Sequence, residues 1–420
     1  MVQKMRKMKD SGIEWIGEIP EGWELIKAKY LFSQRNEKGN STLVLLSPTQ
    51  KYGVIPQSQL EGVVQVKETT DLRAFKTIHI GDFVISLRSF QGGFEFSNYE
   101  GVCSPAYQVF HATKDLSNDF FRYLFKSDGF ISKINSLTVG IREGKNIQYW
   151  DFSNMLLAVP PKEIQIRSAQ YLNAKCTEID TMLSKTRSSI EEYKKLKQAV
   201  ITQAVTKGVR GEREMKDSGV EWVSEIPANW TVKRGKQLFS ETNERSETGS
   251  EELLTVSHIT GVTPRSQKTV NMFMSESLVG YKICHNGDLA ANTMWMWQGA
   301  IGVSKFHGVI SPSYNTYRQK ANDYYFEYLD YLLRIRPLID TYTIHSTGMT
   351  LSRLRLYPDS FLSLYFIVPP ITEQKEIADF LDTKCTEIDK LIAKKEQLVK
   401  ELESYKKSLI YEVVTGKREV

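Results

Sequence analysis

The string MKDSGIEWIGEIP, beginning at Met8, returns as MKDSGVEWVSEIP beginning at Met215. KCTEID at Lys175 returns unchanged at Lys384. The first pair lies 207 residues apart and the second 209, so the register drifts by two positions over a whole unit. The chain is one plan written twice. Two similar units, each with a globular part and a long helix, suit a protein that does one thing at two places.

Each unit opens with the MKDSG block and closes that block with a tryptophan, Trp23 or Trp230. Trp15 and Trp222 are the inner partners. All four read first as packing the opener onto its own domain and second as a contact to a partner subunit. Short β-rich runs follow, such as STLVLLS from Ser41 and HIGDFVISL from His79, broken by Gly, Pro, Asn and Ser. The match here is patchy and concentrated at turns. Gly53-Val54-x-Pro56 pairs with Gly261-Val262-x-Pro264, and Gly81-Asp82 with Gly287-Asp288. Gln91-Gly92 pairs with Gln298-Gly299, and Ser104-Pro105-x-Tyr107 with Ser311-Pro312-x-Tyr314. Shared corners with different residues between them describe one fold carrying two surfaces.

Each globular part ends at Val-Pro-Pro, at Val159 and Val368, where proline cannot continue a sheet ladder. Residues 162–207 and 371–415 then run without Gly or Pro. Ala169, Leu172, Cys176, Ile179, Leu183, Thr186, Ile190 and Tyr193 alternate in steps of three and four. So do Leu381, Cys385, Ile388, Ile392, Lys395, Val399, Leu402, Lys406, Leu409 and Val413. These are heptad seams with polar interruptions, predicting two long helices. The economical cover for one seam is the other, and an antiparallel pairing that sets the globular parts at opposite ends is preferred. Packing of each helix on its own domain, or on another subunit, remains open. The expected division is 1–161, 162–208, 209–370 and 371–420.

The chain has 420 residues, 41% apolar, which is room for two to three domains. No apolar run approaches the roughly 20 residues of a membrane span, and the basic N-terminal segment lacks the apolar stretch of a secretory signal. Cys103, Cys176, Cys284 and Cys385 show neither metal nor redox spacing, and the repeat partners Cys176 and Cys385, inside helical patterns, read as small core residues. A reducing cytoplasm is the expected compartment, making the sequons at Asn40 and Asn229 chance matches. A net charge of +5 permits an anionic partner without requiring one.

Catalytic signatures are absent from the sequence. It holds no P-loop, no Gly-rich dinucleotide fingerprint, no G-x-S-x-G elbow and no clustered histidines. It also lacks the Asp/Asn-Pro-Pro-aromatic motif of amino-methyltransferases, and Val-Pro-Pro offers no amide or carboxylate in its place. Nuclease sites have weak sequence signatures, so a self-contained nuclease stays a rival reading. A coiled-coil scaffold is a second, disfavoured because a scaffold has no reason to keep corners and change loops.

The doubled layout resembles the specificity (S) subunit of type I restriction–modification systems over residues 8–420. The resemblance rests on the K-x-S-G-x-E-W-x-x-E-I-P-x-x-W opener and on a variable domain ending near Val-Pro-Pro. It rests also on the helix starts at Gln165 and Gln374, each followed by C-T-E-I-D, all in duplicate and in order. It implies an α+β fold of two mixed α/β target recognition domains separated by two long antiparallel helices forming a coiled coil. It implies that each domain reads one half of a split asymmetric sequence in double-stranded DNA, with the helices as spacer. Methyltransferase (M) subunits, two per chain, would bind along the spacer, and restriction (R) subunits would join them. S-adenosylmethionine and ATP would then sit on those partners, with no cofactor, metal or catalytic residue on this chain and no membrane contact.

Candidate DNA contacts are the polar and basic loop residues near the shared corners. In the first domain these are Lys51, Tyr52, Gln57 and Ser58, then Arg88, Ser89 and Gln91, then Arg142, Lys145 and Asn146. In the second they are His258, Thr260, Arg265, Ser266 and Lys268, then Asn292 and Gln298, then Thr350, Ser352 and Arg353. Arg and Gln suit bidentate base contacts, Lys and Ser phosphate. Trp295, inside Met294-Trp295-Met296-Trp297, reads first as strand core and second as a contact.

Overall fold

The computed structural model describes residues 6–38, 42–60, 72–86, 92–137, 147–268 and 277–420. The two Gly- and Pro-free stretches are helices: α1 is Lys162–Lys207, 46 residues, and α2 is Ile371–Val414, 44 residues. Among the described residues no helix is long and apolar enough to cross a membrane. Gly208 directly follows α1 with φ +77°, a left-handed residue that ends the helix without a Cβ clash. Gly416, at φ +74°, follows α2 by two residues, and a Cβ there would meet Pro20 and Trp23 under 3 Å away.

The chain forms two compact units, Met1–Arg187 with Gln397–Val420, and Ser188–Glu396. Each takes part of both helices, so the units cross the helix boundaries expected from the sequence. In the first unit, Leu172, Cys176, Ile179 and Leu183 of α1 share a core with Leu409, Val413 and Val414 of α2. Lys406 there bonds Asp180 at 2.6 Å and Arg187 bonds Glu403, numbers rising on one helix as they fall on the other. In the second unit, Ile201, Ala204 and Val205 share a core with Ile377, Ala378, Leu381 and Cys385. Lys197–Asp389 and Arg210–Glu376, each at 2.7 Å, give the same direction. The helices are thus antiparallel within each unit, and every seam position named above is buried or half-buried.

The globular parts have one topology. A four-stranded antiparallel sheet runs Phe32–Arg35, Gln108–Ala112, Phe83–Ile85, Phe94–Phe96 in the first. Its counterpart runs Phe239–Thr242, Asn315–Gln319, Leu289–Ala291, Ile301–Val303. Two-stranded ribbons recur likewise: the opener (Met8–Asp10 with Glu18–Pro20; Met215–Val220 with Val223–Pro227), and a closing ribbon before each long helix (Glu24–Lys27 with Leu156–Val159; Thr231–Arg234 with Tyr365–Val368).

The cores differ in chemistry. Phe32, Phe83, Phe94, Phe110, Phe125 and Phe152 pack around the first sheet, mostly edge-on or tilted, with Phe83 and Phe110 stacked at 16°. Such contacts suit the ring quadrupole. The second core uses Tyr324, Tyr328 and Tyr342, whose buried hydroxyls donate to the carbonyls of Ile367, Val205 and Leu333. Trp23 and Trp230 are buried in their respective cores. Trp230 Nε1 donates to Glu373, which also pairs with Arg213. Among the described residues Trp23 Nε1 has no hydrogen-bond partner.

The glutamine at each helix start is a buried clamp. Gln165 Nε2 donates to Pro160 O at 2.9 Å, and Gln165 Oε1 accepts from Ser117 N, the residue before the helix Asn118–Leu124. Gln374 repeats this on Pro369 O and Tyr325 N and adds Asp323 O, all at 2.8 Å. Each carboxamide ties the long helix to a short helix of its globular part, satisfying backbone groups that have no strand or helix partner. Gln374→Leu leaves three such groups unpaired. We expect a loss of about 3 kcal/mol in chemical denaturation; a loss under about 1 kcal/mol contradicts the clamp.

Candidate nucleic-acid interface

The candidates nearest the Gly53 and Gly261 turns occupy one structural corner. Leu46–Thr49 pairs with Gly53–Pro56, and Leu254–Ser257 with Gly261–Pro264, each hairpin turning through a glycine with positive φ. A 3₁₀ turn follows each, Gln57–Gln59 and Arg265–Gln267. Its first backbone N–H donates to Leu45 or Leu253 at 2.9 and 2.8 Å. Gln57 and Arg265 therefore hold one position in two copies, as do Ser58 and Ser266. The frame is constant while the side chains it presents change.

In the second unit this corner gathers several candidates. Ser257 Oγ accepts from Thr260 N at 3.1 Å and lies 3.0 Å from Thr260 Oγ1 and 3.3 Å from Lys268 Nζ. Partial burial draws Lys268 below the ordinary lysine range. Ser266 donates to Glu252 at 2.8 Å, and Arg265 is half-buried at the base of the turn. The imidazole of His258 stacks on Trp295, ring centres 6.4 Å apart and planes 14° apart, bringing the loop of Trp295 and Gln298 to the same surface. Thr350 and Arg353 are exposed on a separate loop closed by paired backbone bonds between Thr347 and Arg355, and Ser352 belongs to the same loop.

One expectation changes. Met294-Trp295-Met296-Trp297 is not a strand but a turn leading into the 3₁₀ segment Met296–Gln298, ended by Gly299 at φ +84°. Met296 alone is buried, and Trp295 is 45% exposed. Apolar alternation marked the inward and outward sides but not the backbone, which the left-handed glycine bends. Asn292 is 6% exposed, donating to the Tyr314 hydroxyl and accepting from Met294 N. Its carboxamide braces the loop.

In the first unit Tyr52 is 60% exposed with Lys51 Nζ 4.7 Å above its ring, and Gln57 and Ser58 follow on the turn. Arg88, Ser89, Gln91, Arg142, Lys145 and Asn146 lie outside the described residues. Lys51 and Tyr52 edge a cleft of about 510 Å³, lined also by Arg122, Lys126, Lys406 and Asp180. Glu95 lies at its wall, wholly buried, bonded to Lys126 at 2.7 Å.

A charged cluster absent from the sequence reading stands at the Gly-Asp corner of both units. Arg35 forks onto buried Asp82 at 2.8 and 3.3 Å, and Arg318 onto buried Asp288 at 2.8 and 2.9 Å. His79 bonds Glu37 at 3.0 Å and His285 bonds Glu244 at 2.8 Å. Those histidine bonds hold both glutamates below the usual carboxylate range. Histidine, glutamate and aspartate are repeat partners, but the arginine comes from Phe32–Arg35 in one unit and from Asn315–Gln319 in the other. The His-x-Gly-Asp string at His79 and His285 was the available signal; the arginine left none, because it changes strands.

No family model matches the chain. The fold is that of type I restriction–modification specificity subunits. The HsdS subunit crystal structure from Thermoanaerobacter tengcongensis matches at TM-score 0.55 and 14% identity, over 95% of this chain and 98% of that one. A chain from a structure of complex assembly and conformational transition of the type I R-M system matches at TM-score 0.73 and 14% identity, over 95% of this chain and 99% of that one.

Burial pushes the Glu95 carboxyl from 4.5 up to about 6. Between those values the folded chain keeps a proton that the unfolded chain has released. The stability from Glu95 is therefore full below about pH 4.5 and is lost as pH rises through 6. The stability of Glu95→Gln relative to the parent should accordingly improve by roughly 2 kcal/mol from pH 4.5 to 7.5 in paired thermal melts. A gap that stays constant with pH would contradict this.

Proposed function

We propose that this chain is the DNA sequence-recognition subunit of a type I restriction–modification complex. The observation that carries the reading is the doubled corner. One hairpin-and-turn frame appears twice and presents Lys51, Tyr52, Gln57 and Ser58 in one unit and His258, Thr260, Arg265 and Ser266 in the other. Two copies of a frame with different polar ends suit two different short base sequences, since a few side chains reach only a short stretch of major groove. Neither half alone discriminates enough against a genome, and joining two readers makes the second encounter intramolecular. The fold shared with specificity subunits supports the same reading.

The long helices carry a second apolar line for partners. Met182 and Leu391 are repeat equivalents, as are Leu196 and Tyr405; all four are between 41% and 48% exposed. Leu391, Leu398 and Tyr405 fall at heptad spacing, along one flank of the inward seam. A duplicated line fits two methyltransferase subunits per chain, with restriction subunits joining them. Catalysis, S-adenosylmethionine and ATP belong to those partners in this reading, and the complex works on DNA in the cytoplasm.

Selection from random duplexes should enrich a split sequence, and Arg265→Ala should relax one base of one half by about 1–3 kcal/mol. An equal loss on all sequences would make Arg265 a phosphate contact. No enrichment by the parent chain would end the DNA-reading proposal. Met182→Asp with Leu391→Asp should abolish co-purification of the methyltransferase subunit while leaving the melting temperature within a few degrees; retained co-purification would place the docking surface elsewhere.

A further inference from the structure

The second unit carries a stack of rings on its surface that neither the hydrophobic core nor the hairpin frame requires. His258, at the hairpin tip, lies over Trp295 at 14°, and Trp295 lies over Trp297 at 17° with centres 5.9 Å apart. Two separate loops supply these rings. The Trp297 indole N–H donates to Met294 O at 3.2 Å, and Trp295 N donates to Asn292 O at 2.9 Å. Asn292 is itself bonded to Tyr314, and Thr293 Oγ1 donates to Ser313 O at 3.0 Å. The stack is thus set before any ligand arrives. Yet His258, the ring that ends the stack, is exposed and Trp295 is 45% exposed, so the stack opens to water among residues otherwise suited to DNA.

Paired DNA cannot use such a stack. A duplex offers base edges in its grooves, and the face of a base is covered by its neighbours. A ring stack meets a base face only when that base has left its own stack, where aromatic side chains bind it with little regard to its identity. By repeat alignment the first unit has Gln50, Arg88 and Phe90 where the second has His258, Trp295 and Trp297, so the full ring set belongs to the second unit.

Resting on the DNA-reading proposal, we propose that His258, Trp295 and Trp297 form a platform that holds the face of one unpaired nucleobase. The second unit then recognises its half of the target with a base out of the stack, while the first reads edges and phosphates. The platform performs no chemistry; it lowers the cost of holding a base extrahelical.

The full chain would be titrated with a paired duplex and with the same duplex carrying a single bulged 2-aminopurine, at one salt concentration. The platform predicts about tenfold tighter binding of the bulged duplex, with quenching of the probe. Trp295→Ala should erase the ratio of the two affinities, whatever its affinity for the paired duplex, and Trp295→Phe should keep part of it. Equal affinities with an unquenched probe, or a ratio unmoved in Trp295→Ala, would overturn the platform and leave DNA reading standing. Failure to bind either duplex would overturn both.

Discussion

The antiparallel contact between α1 and α2 is the constraint on which the fold depends. A helix of more than 40 residues with a continuous apolar seam must cover that seam, because helical propensity alone does not hold it. In each unit the cover is the other helix plus the globular part. Leu172 to Leu183 meet Leu409 to Val414 in one core, and Ile201 to Val205 meet Ile377 to Cys385 in the other. The exposed cross-helix ion pairs add little each; their value is in fixing direction and register. Each globular part therefore folds around segments drawn from both repeats, and the duplication is a condition of folding as well as of function.

On that frame the two units keep geometry and change chemistry. A phenylalanine cluster and a tyrosine set with satisfied hydroxyls fill equivalent cores. The Gly-Asp corner shows the same economy. Its buried aspartate takes a two-pronged arginine in both units, supplied by one strand in the first and its neighbour in the second. What is retained is an ionic contact at a corner, which fixes where the variable loops leave the sheet. Variation is then free to fall on the loops themselves.

This division explains what the sequence disclosed. Helix limits were legible because Pro-Pro starts and glycine ends are backbone requirements. The corners were legible because turn glycines, among them the Gly81-Asp82 and Gly287-Asp288 pairs, recur in register. The Gln165 and Gln374 clamps lay within the strings that carried the family resemblance, though their bonds to Pro160 and Pro369 required coordinates. The exposure of Trp295 was not legible, because alternation fits a strand as well as a braced turn. Nor was the burial of Asn292, since a carboxamide on a loop serves a base or a backbone equally well. The Arg35 and Arg318 exchange has no linear signature at all. Of the candidate contacts, the hairpin-corner residues of the second unit converge on one surface, and Thr350, Ser352 and Arg353 sit on another loop.

The proposed role in DNA reading is tested by a pattern in methylated bases. The most direct measurement is a genome-wide map of methylation in cells expressing this chain with the proposed methyltransferase partner, against cells lacking the chain. The account predicts one asymmetric motif of two short specified halves flanking unspecified positions, absent without the chain. A single unbroken motif, or methylation unchanged when the chain is removed, would contradict it.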